Sequence, residues 1–321
     1  MAKKRKKKKE NKFLRILLVI VTILYGLYLG DFQGTFGLDI TENVFKEVNS
    51  DLKVSYIDVG QADAILIENN SEAMLIDAGN NEDGNLLVKY FNENNISNFK
   101  YIVGTHPHED HIGGMDDIIN NFEIGTIYIP DAITTTKTFT DVLDAIENKN
   151  MTYNVPKIGE EFMLGEATIK VLYTGTDTSD LNNTSIVLKL TFGNTSFLFT
   201  GDATDKTEEE LLNSNLDIKA DVLKVGHHGS KYSTTDEFLN KVNPKYAIIS
   251  VGTNNSYNHP EDETINKLNK NNIAIHRTDK EGTIIVTSDG TNINITNIDT
   301  DTNGGKSWNG PLIESKITLL F

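Results

Sequence analysis

The chain has no cysteine, which excludes a disulfide framework, a thiolate metal site and cysteine nucleophilic catalysis. Any metal must therefore be held by histidine and carboxylates. Proline is scarce, 6 in 321 residues, and neither an internal repeat nor a low-complexity tract divides the sequence. Positive charge is short beyond the amino terminus: residues 16–321 hold 21 Lys/Arg against 45 Asp/Glu, a net −24. A body so acidic does not draw polyanions over long range. What remains suffices for a core, because 38% hydrophobic residues exclude whole-chain disorder.

The basic residues are concentrated at the start. Residues 1–15 carry nine Lys/Arg against Glu10 alone, a net +8, and Ile16–Gly30 follows without a charge. Fifteen residues is short against the roughly 20 of a typical span, but a tilted or locally thinned bilayer accommodates it, with Arg15 snorkelling to the headgroups. A cleaved signal peptide shares the basic-then-apolar pattern, yet no A-x-A-like site follows, since Tyr28, Leu29 and Gly30 run into Asp31. The expectation is a basic cytoplasmic segment (1–15), one transmembrane anchor (16–30) and a polar tether (31–52), with the acidic body outside the cytoplasm by the positive-inside bias. Cleavage would instead give a secreted protein.

From residue 53 short apolar runs alternate with helical patterns, predicting eleven strands and six helices in an α/β sandwich of two sheets with helices outside over 53–298. Thr234 with Glu237 three residues on predicts a capping box. The turn-rich tail 299–321 is left without an assignment.

Histidine placement carries the chemistry. Three of seven histidines fall in Thr105-His106-Pro107-His108-Glu109-Asp110-His111, and two in Gly226-His227-His228-Gly229-Ser230. Both stretches follow apolar strand candidates. A turn at a strand end can point imidazoles and a carboxylate into one cleft, a donor set suited to zinc or similar ions. A third such strand, Phe197-Leu198-Phe199-Thr200-Gly201-Asp202, delivers a carboxylate behind a glycine that removes steric bulk.

Together these motifs resemble the metallo-β-lactamase superfamily, and more narrowly the extracytoplasmic hydrolase domain of ComEC-type DNA-uptake competence proteins. The resemblance rests on YIDVGQADA (56–64), MLIDAG (74–79), the His106–Gly114 stretch, NNTSIVLKL (182–190), LFTGD (198–202), VLKVGHHGSKYS (222–233), His259-Pro260 and RTDKEGTIIVTSDG (277–290). It implies a four-layer αββα sandwich. Ala62 and Asn258 stand where the family usually has glycine. The multi-span channel of competence proteins has no counterpart among the candidate spans, so a hydrolase acting without the channel is expected.

The resemblance also implies two divalent ions, Zn or Mn. His106 and His108 would bind one, Asp110 and His111 the second, with Asp202 bridging and either His227 or His228 completing the second site. Two such ions about 3.5–4 Å apart would activate a shared water and neutralise phosphoryl oxygens. A further histidine common at the first ion is missing, as no His lies between 112 and 226; Asn182 or Asn183 could support that site. Asp77 is expected to orient a ligand histidine. Asp58, Gln61 and Asp63 are expected along the same cleft. Gly229 and Ser230 would offer backbone amides to an anion. His259 would protonate the leaving group or contact substrate, and His276 is expected to be structural.

The expected function is a membrane-anchored, metal-dependent phosphodiesterase or nuclease outside the cytoplasm. Lys224, Lys231 and Lys245 form only a small basic cluster for nucleic acid. An alternative is resemblance to phosphorylcholine esterases, where Tyr232, Tyr246 or Tyr257 could hold a quaternary ammonium by cation–π contact. A non-catalytic binding domain is the third reading.

Overall fold

The computed structural model describes residues 51–298. The expected basic segment, the anchor, nearly all of the tether and the tail from 299 lie outside the described residues. Among those described, no helix is long and apolar enough to cross a membrane.

Two sheets form the frame. The first runs, edge to edge, Ile293–Ile298, Thr283–Ser288, Leu52–Tyr56, Ala64–Asn69, Glu72–Ala78, Asn98–Val103, Glu123–Tyr128 and Tyr153–Asn154. The second runs Ala274–Arg277, Tyr246–Ile249, Val222–Lys224, Thr195–Phe199, Val187–Phe192, Ala167–Tyr173 and Glu161–Leu164. Hairpins make much of the antiparallel part, and Leu52–Tyr56 also pairs antiparallel with the sequence-distant Thr283–Ser288. Asn70 and Ser71, both with positive φ, form the two-residue turn between Ala64–Asn69 and Glu72–Ala78, as strand twist favours. Parallel pairing takes over where helices cross between strands: Asn98–Val103 pairs parallel with Glu72–Ala78, and Val222–Lys224 with Thr195–Phe199.

The layers follow from alternation along the strands. Phe197 and Phe199 point between the sheets with Val54, Ile67, Met74, Leu188 and Val222, while Leu198 faces the outer helices. Helices Gly84–Glu93, Met115–Asn121 and Lys137–Asn148 cover the first sheet through Leu87, Phe91, Ile118 and Phe139. Helices Asp205–Asn213, Asp236–Val242 and Asp262–Lys270 cover the second through Leu211, Phe238 and Leu268. This is the αββα sandwich. Truncating a ring such as Phe197, wholly buried, costs about 3–5 kcal/mol.

Four strands lie beyond the eleven expected, Tyr153–Asn154, Glu161–Leu164, Ala274–Arg277 and Ile293–Ile298, and all four are sheet edges. An edge strand pairs on one flank only and carries a weaker apolar run, as the half-exposed Ile293–Ile298 does. The expected capping box does not form: Thr235, not Thr234, caps Asp236–Val242 by accepting the Phe238 N–H, while Thr234 takes positive φ.

Candidate metal centre

Every chemical motif sits where a parallel strand ends. Asn98–Val103 leads into Thr105 and the short helix Glu109–Ile112, which carries Asp110 and His111. From the other sheet, Thr195–Phe199 leads into Gly201 and Asp202, and Val222–Lys224 into the turn Gly226–Gly229. Carboxyl ends of parallel strands are the usual place for ligand sites in α/β sheets. Gly201 lets the two sets approach: at φ +51 a Cβ there would lie 3.0 Å from Thr105.

Four side chains converge. One ligand-type atom from each of Asp110, His111, Asp202 and His228 lies within 4.8 Å of the others. His111 Nε2 is 3.3 Å from Asp202 Oδ1, and His228 Nε2 is 3.4 Å from Asp110 Oδ2 and 3.7 Å from Asp202 Oδ1. Beside them His106 Nε2 and His108 Nδ1 sit 3.0 Å apart, and the His106 and His111 rings are 4.1 Å between centroids. The sequence-expected pair and group are thus adjacent.

Supporting atoms fix both rings of the group. Asp77 accepts from the backbone and hydroxyl of Thr105, each at 2.8 Å, and faces His111 Nδ1 at 2.8 Å. His228 Nδ1 faces the Ser250 carbonyl at 2.9 Å. Each imidazole therefore has Nδ1 engaged and turns Nε2 to the centre, the arrangement that orients a metal-binding histidine. His111 Nε2, His228 Nε2 and Asp202 Oδ1 are buried without a hydrogen-bond partner. Leaving such atoms unpaired is costly, and a divalent cation satisfies all three at once. The donor set fits.

The carboxylates dominate the electrostatics of the group. Burial alone would lower His111, but the carboxylates of Asp202, Asp77 and Asp110 outweigh it and hold the imidazole well above its ordinary range. For Asp202 burial works upward, yet His111 and His228 keep it well below the usual carboxylate range. His106 is pushed well below the imidazole range by burial and by His111. A cation needs neutral imidazole and ionised carboxylate, so binding one must displace the proton that these carboxylates hold on His111.

A model of the Metallo-beta-lactamase superfamily matches residues 57–253. The chain belongs to the metallo-β-lactamase superfamily. It is 31% identical to ComE operon protein 3 of Bacillus subtilis over 260 residues, which cover 75% of this chain and 34% of that protein. It is 28% identical to Recombination protein 2 of Haemophilus influenzae over 263 residues, 79% of this chain and 31% of the relative. Competence protein ComA of Neisseria gonorrhoeae matches over 106 residues at 35% identity, covering 33% of this chain and 15% of that protein. The resemblance to competence proteins therefore holds, with the chain spanning about a third of the length of its first curated relatives. Igni18, a metallo hydrolase of Ignicoccus hospitalis, shares the metallo-β-lactamase fold at TM-score 0.50 and 15% identity, covering 74% of this chain and 98% of that one.

Within this metallo-β-lactamase frame a cleft of about 300 Å³ opens over the group, lined among others by Gln61, His108, Asn182, His227 and His259. Asn182 Oδ1 is buried and unpartnered there, whereas Asn183 accepts from Thr204 Oγ1. His227 sits at the wall with Nε2 3.7 Å from Asp202 Oδ2. The two neighbouring histidines both take left-handed backbone, φ 49 and 52, inside a tight turn. Burial, then His227 and His228, lower His259 to about 4. Asn258, in the family's usual glycine position, takes φ 59, which Asn tolerates.

Other expected residues go elsewhere. Ser230 donates its N–H to the His227 carbonyl, and a Cβ on Gly229 would meet Pro260 at 2.5 Å, so this pair closes a turn and neither residue lines the cleft. Asp58 accepts the Gly60 N–H in its own loop, and the carboxylate beside the centre is Asp63, 3.7 Å from His228 Nδ1. The basic cluster is not there: Lys224 is buried against Asp63, Lys231 pairs with Glu261 and Lys245 with Asp221. His276 Nδ1 faces Glu281 Oε2 at 2.9 Å. Two supports escaped the sequence, Thr105 and the Ser250 carbonyl. Thr105 had a readable signal, since it directly precedes the histidine stretch.

Proposed function

We propose that the chain is a metal-dependent phosphodiesterase of the nuclease type, with one or two divalent ions, Zn or Mn, held by His106, His108, Asp110, His111, Asp202 and His228. The observation that carries this reading is the buried, unpartnered trio His111 Nε2, His228 Nε2 and Asp202 Oδ1 beneath an open polar cleft. A divalent ion bound there supplies Lewis-acid polarisation of a phosphoryl oxygen and lowers the pKa of a coordinated water. The chain's own side chains do the rest. Asp77 and the Ser250 carbonyl hold the two imidazoles in the tautomer that leaves Nε2 free. Asp110 and Asp202 offset the positive charge. Asn182 and Gln61 offer amides to a substrate oxygen. At about 4 His259 is neutral near pH 7, which favours hydrogen bonding to substrate over storing a proton for the leaving group.

Phosphodiester substrates are favoured by the competence relatives. The basic run before residues 16–30 supports a single-pass anchor with the hydrolase outside the cytoplasm. A second reading, a choline phosphodiesterase, is favoured by one observation: of Tyr232, Tyr246 and Tyr257, it is Tyr257 that lines the cleft. The test is hydrolysis by the full chain in detergent, with added manganese or zinc, of a bis-nitrophenyl phosphodiester, DNA and choline nitrophenyl phosphate. Turnover of the first two that stops with chelator is the expected result. No turnover of any ester by metal-loaded protein would leave only a binding domain.

A further inference from the structure

The cleft over the candidate centre continues sideways into a larger cavity of about 700 Å³, and Gln61, Glu109, Asp110 and Tyr257 line both. Tyr257 stands on the boundary with 64% of its surface exposed. Single exposed aromatics are ordinary. This one is pinned. Asn255 Oδ1 accepts the N–H of Tyr257 at 3.1 Å and of His259 at 3.0 Å, while Asn255 Nδ2 donates to the carbonyls of Gly252 and His259. The Gly252 N–H donates in turn to Gln61 Oε1 at 3.1 Å, tying the turn across the cleft floor. The Tyr257 ring stacks on His259 at 5.7 Å and 25°, and His259 meets His227 edge-on at 5.5 Å. A rigid, flat, largely solvent-facing ring thus lies two rings away from Asp202.

The larger cavity tells what the ring is for. Val59, Gly60 and Asn80 line it together with the carboxylates of Glu82 and Glu109, and no Lys, Arg or His does. A second phosphate placed there would be repelled by the carboxylates of Glu82, Glu109 and Asp110, with no cationic side chain in the lining to attract it. A base and sugar would not: the base offers a neutral face to the ring and N–H donors to the carboxylates. An ammonium group would also suit those charges, but it is far too small to fill 700 Å³.

We propose that this cavity is the subsite for a nucleoside flanking the scissile phosphate, with Tyr257 as the stacking platform for its base. The proposal rests on the phosphodiesterase reading and sharpens its substrate class. Base–aromatic stacking is worth about 1–3 kcal/mol, or roughly five- to 150-fold in affinity.

The experiment compares kcat and KM of the manganese-loaded full chain on thymidine, methyl and choline nitrophenyl phosphates, for wild type, Tyr257→Ala and Tyr257→Phe. The expected result is a fall of about tenfold in the preference for the thymidine ester in Tyr257→Ala, carried by KM, and a wild-type preference in Tyr257→Phe. An unchanged preference, with both esters slowed alike or neither affected, overturns the subsite. So does a loss confined to choline nitrophenyl phosphate, which would make the ring an ammonium site. If wild type cleaves no ester, the phosphodiesterase reading fails, and the subsite is judged by calorimetry with dithymidine methylphosphonate, a neutral uncleavable analogue. Weaker binding to Tyr257→Ala than to wild type supports it, and equal or absent binding overturns it.

Discussion

Lys224 Nζ lies 2.8 Å from Asp63 Oδ2, and both side chains are sealed from solvent. The contact is Coulombic more than directional, because the hydrogen bond of Lys224 goes to the Val225 carbonyl at 3.0 Å and neither Asp63 oxygen has a well-aligned partner. Asp63 also stands 3.7 Å from His228 Nδ1 and 4.0 Å from His111 Nδ1. Without Lys224, this carboxylate would compete with the Ser250 carbonyl for His228.

The pair therefore predicts a reversal. Lys224→Met should lose about 3–5 kcal/mol of stability, as expected for one uncompensated buried charge, and weaken metal binding. Lys224→Met with Asp63→Asn should recover most of both. Urea unfolding and metal titration on the three variants check it; additive losses in the double variant would refute the charge argument.

The two neighbouring histidines should separate in metal content. His228→Ala and Asp202→Ala should lose bound metal after dialysis, because each removes an atom of the convergent group. His227→Ala should keep its metal and lose activity through the substrate side. Elemental analysis per chain decides this, with circular dichroism to confirm the fold.

Asp77→Asn should keep the fold and weaken metal affinity about 10–100-fold, the usual cost of removing a carboxylate behind a ligand histidine. Competition against a chelating dye measures it. Unchanged affinity would mean that Thr105 alone can hold the loop.

Glu208 gives a pH prediction away from the centre. Its carboxylate accepts the N–H groups of Thr234 and Thr235 at the start of Asp236–Val242, and burial raises it to about 7 against these contacts and Lys267. A raised carboxylate keeps its proton longer in the folded state than in the unfolded one. Stability from this group is therefore present below about 4.5 and lost as pH rises to about 7, some 3 kcal/mol at most. Melting in chelator from pH 4.5 to 8 should show wild type falling relative to Glu208→Gln across that window. Parallel curves would exclude the titration.

Much of the site was legible because its signals are local. His106, His108, Asp110 and His111 share one strand end, and Asp202 and His228 follow apolar runs that could only be buried strands. What stayed hidden depends on contacts distant in sequence or on backbone detail. Choosing His228 over His227 requires the left-handed turn, and burying Lys224 requires Asp63 from the other sheet. That the Ser230 amide closes the same turn, and is not free for an anion, likewise depends on backbone detail. The edge strands were missed for lack of a two-sided apolar pattern.

His106, His108, Asp110 and His111 hang from one sheet, and Asp202 and His228 from the other. A cation gripped by both sets acts as a rivet through the sandwich. Prising the layers apart then means surrendering ligands as well as apolar contact, so the ion's binding free energy adds to the cost of opening. Amide exchange should register this as slowing on both sides of the seam, in Ile102 and Val103 as much as in Leu198 and Leu223, when metal is supplied. Slowing in one layer alone would mean that the ion sits on a single sheet and fastens nothing.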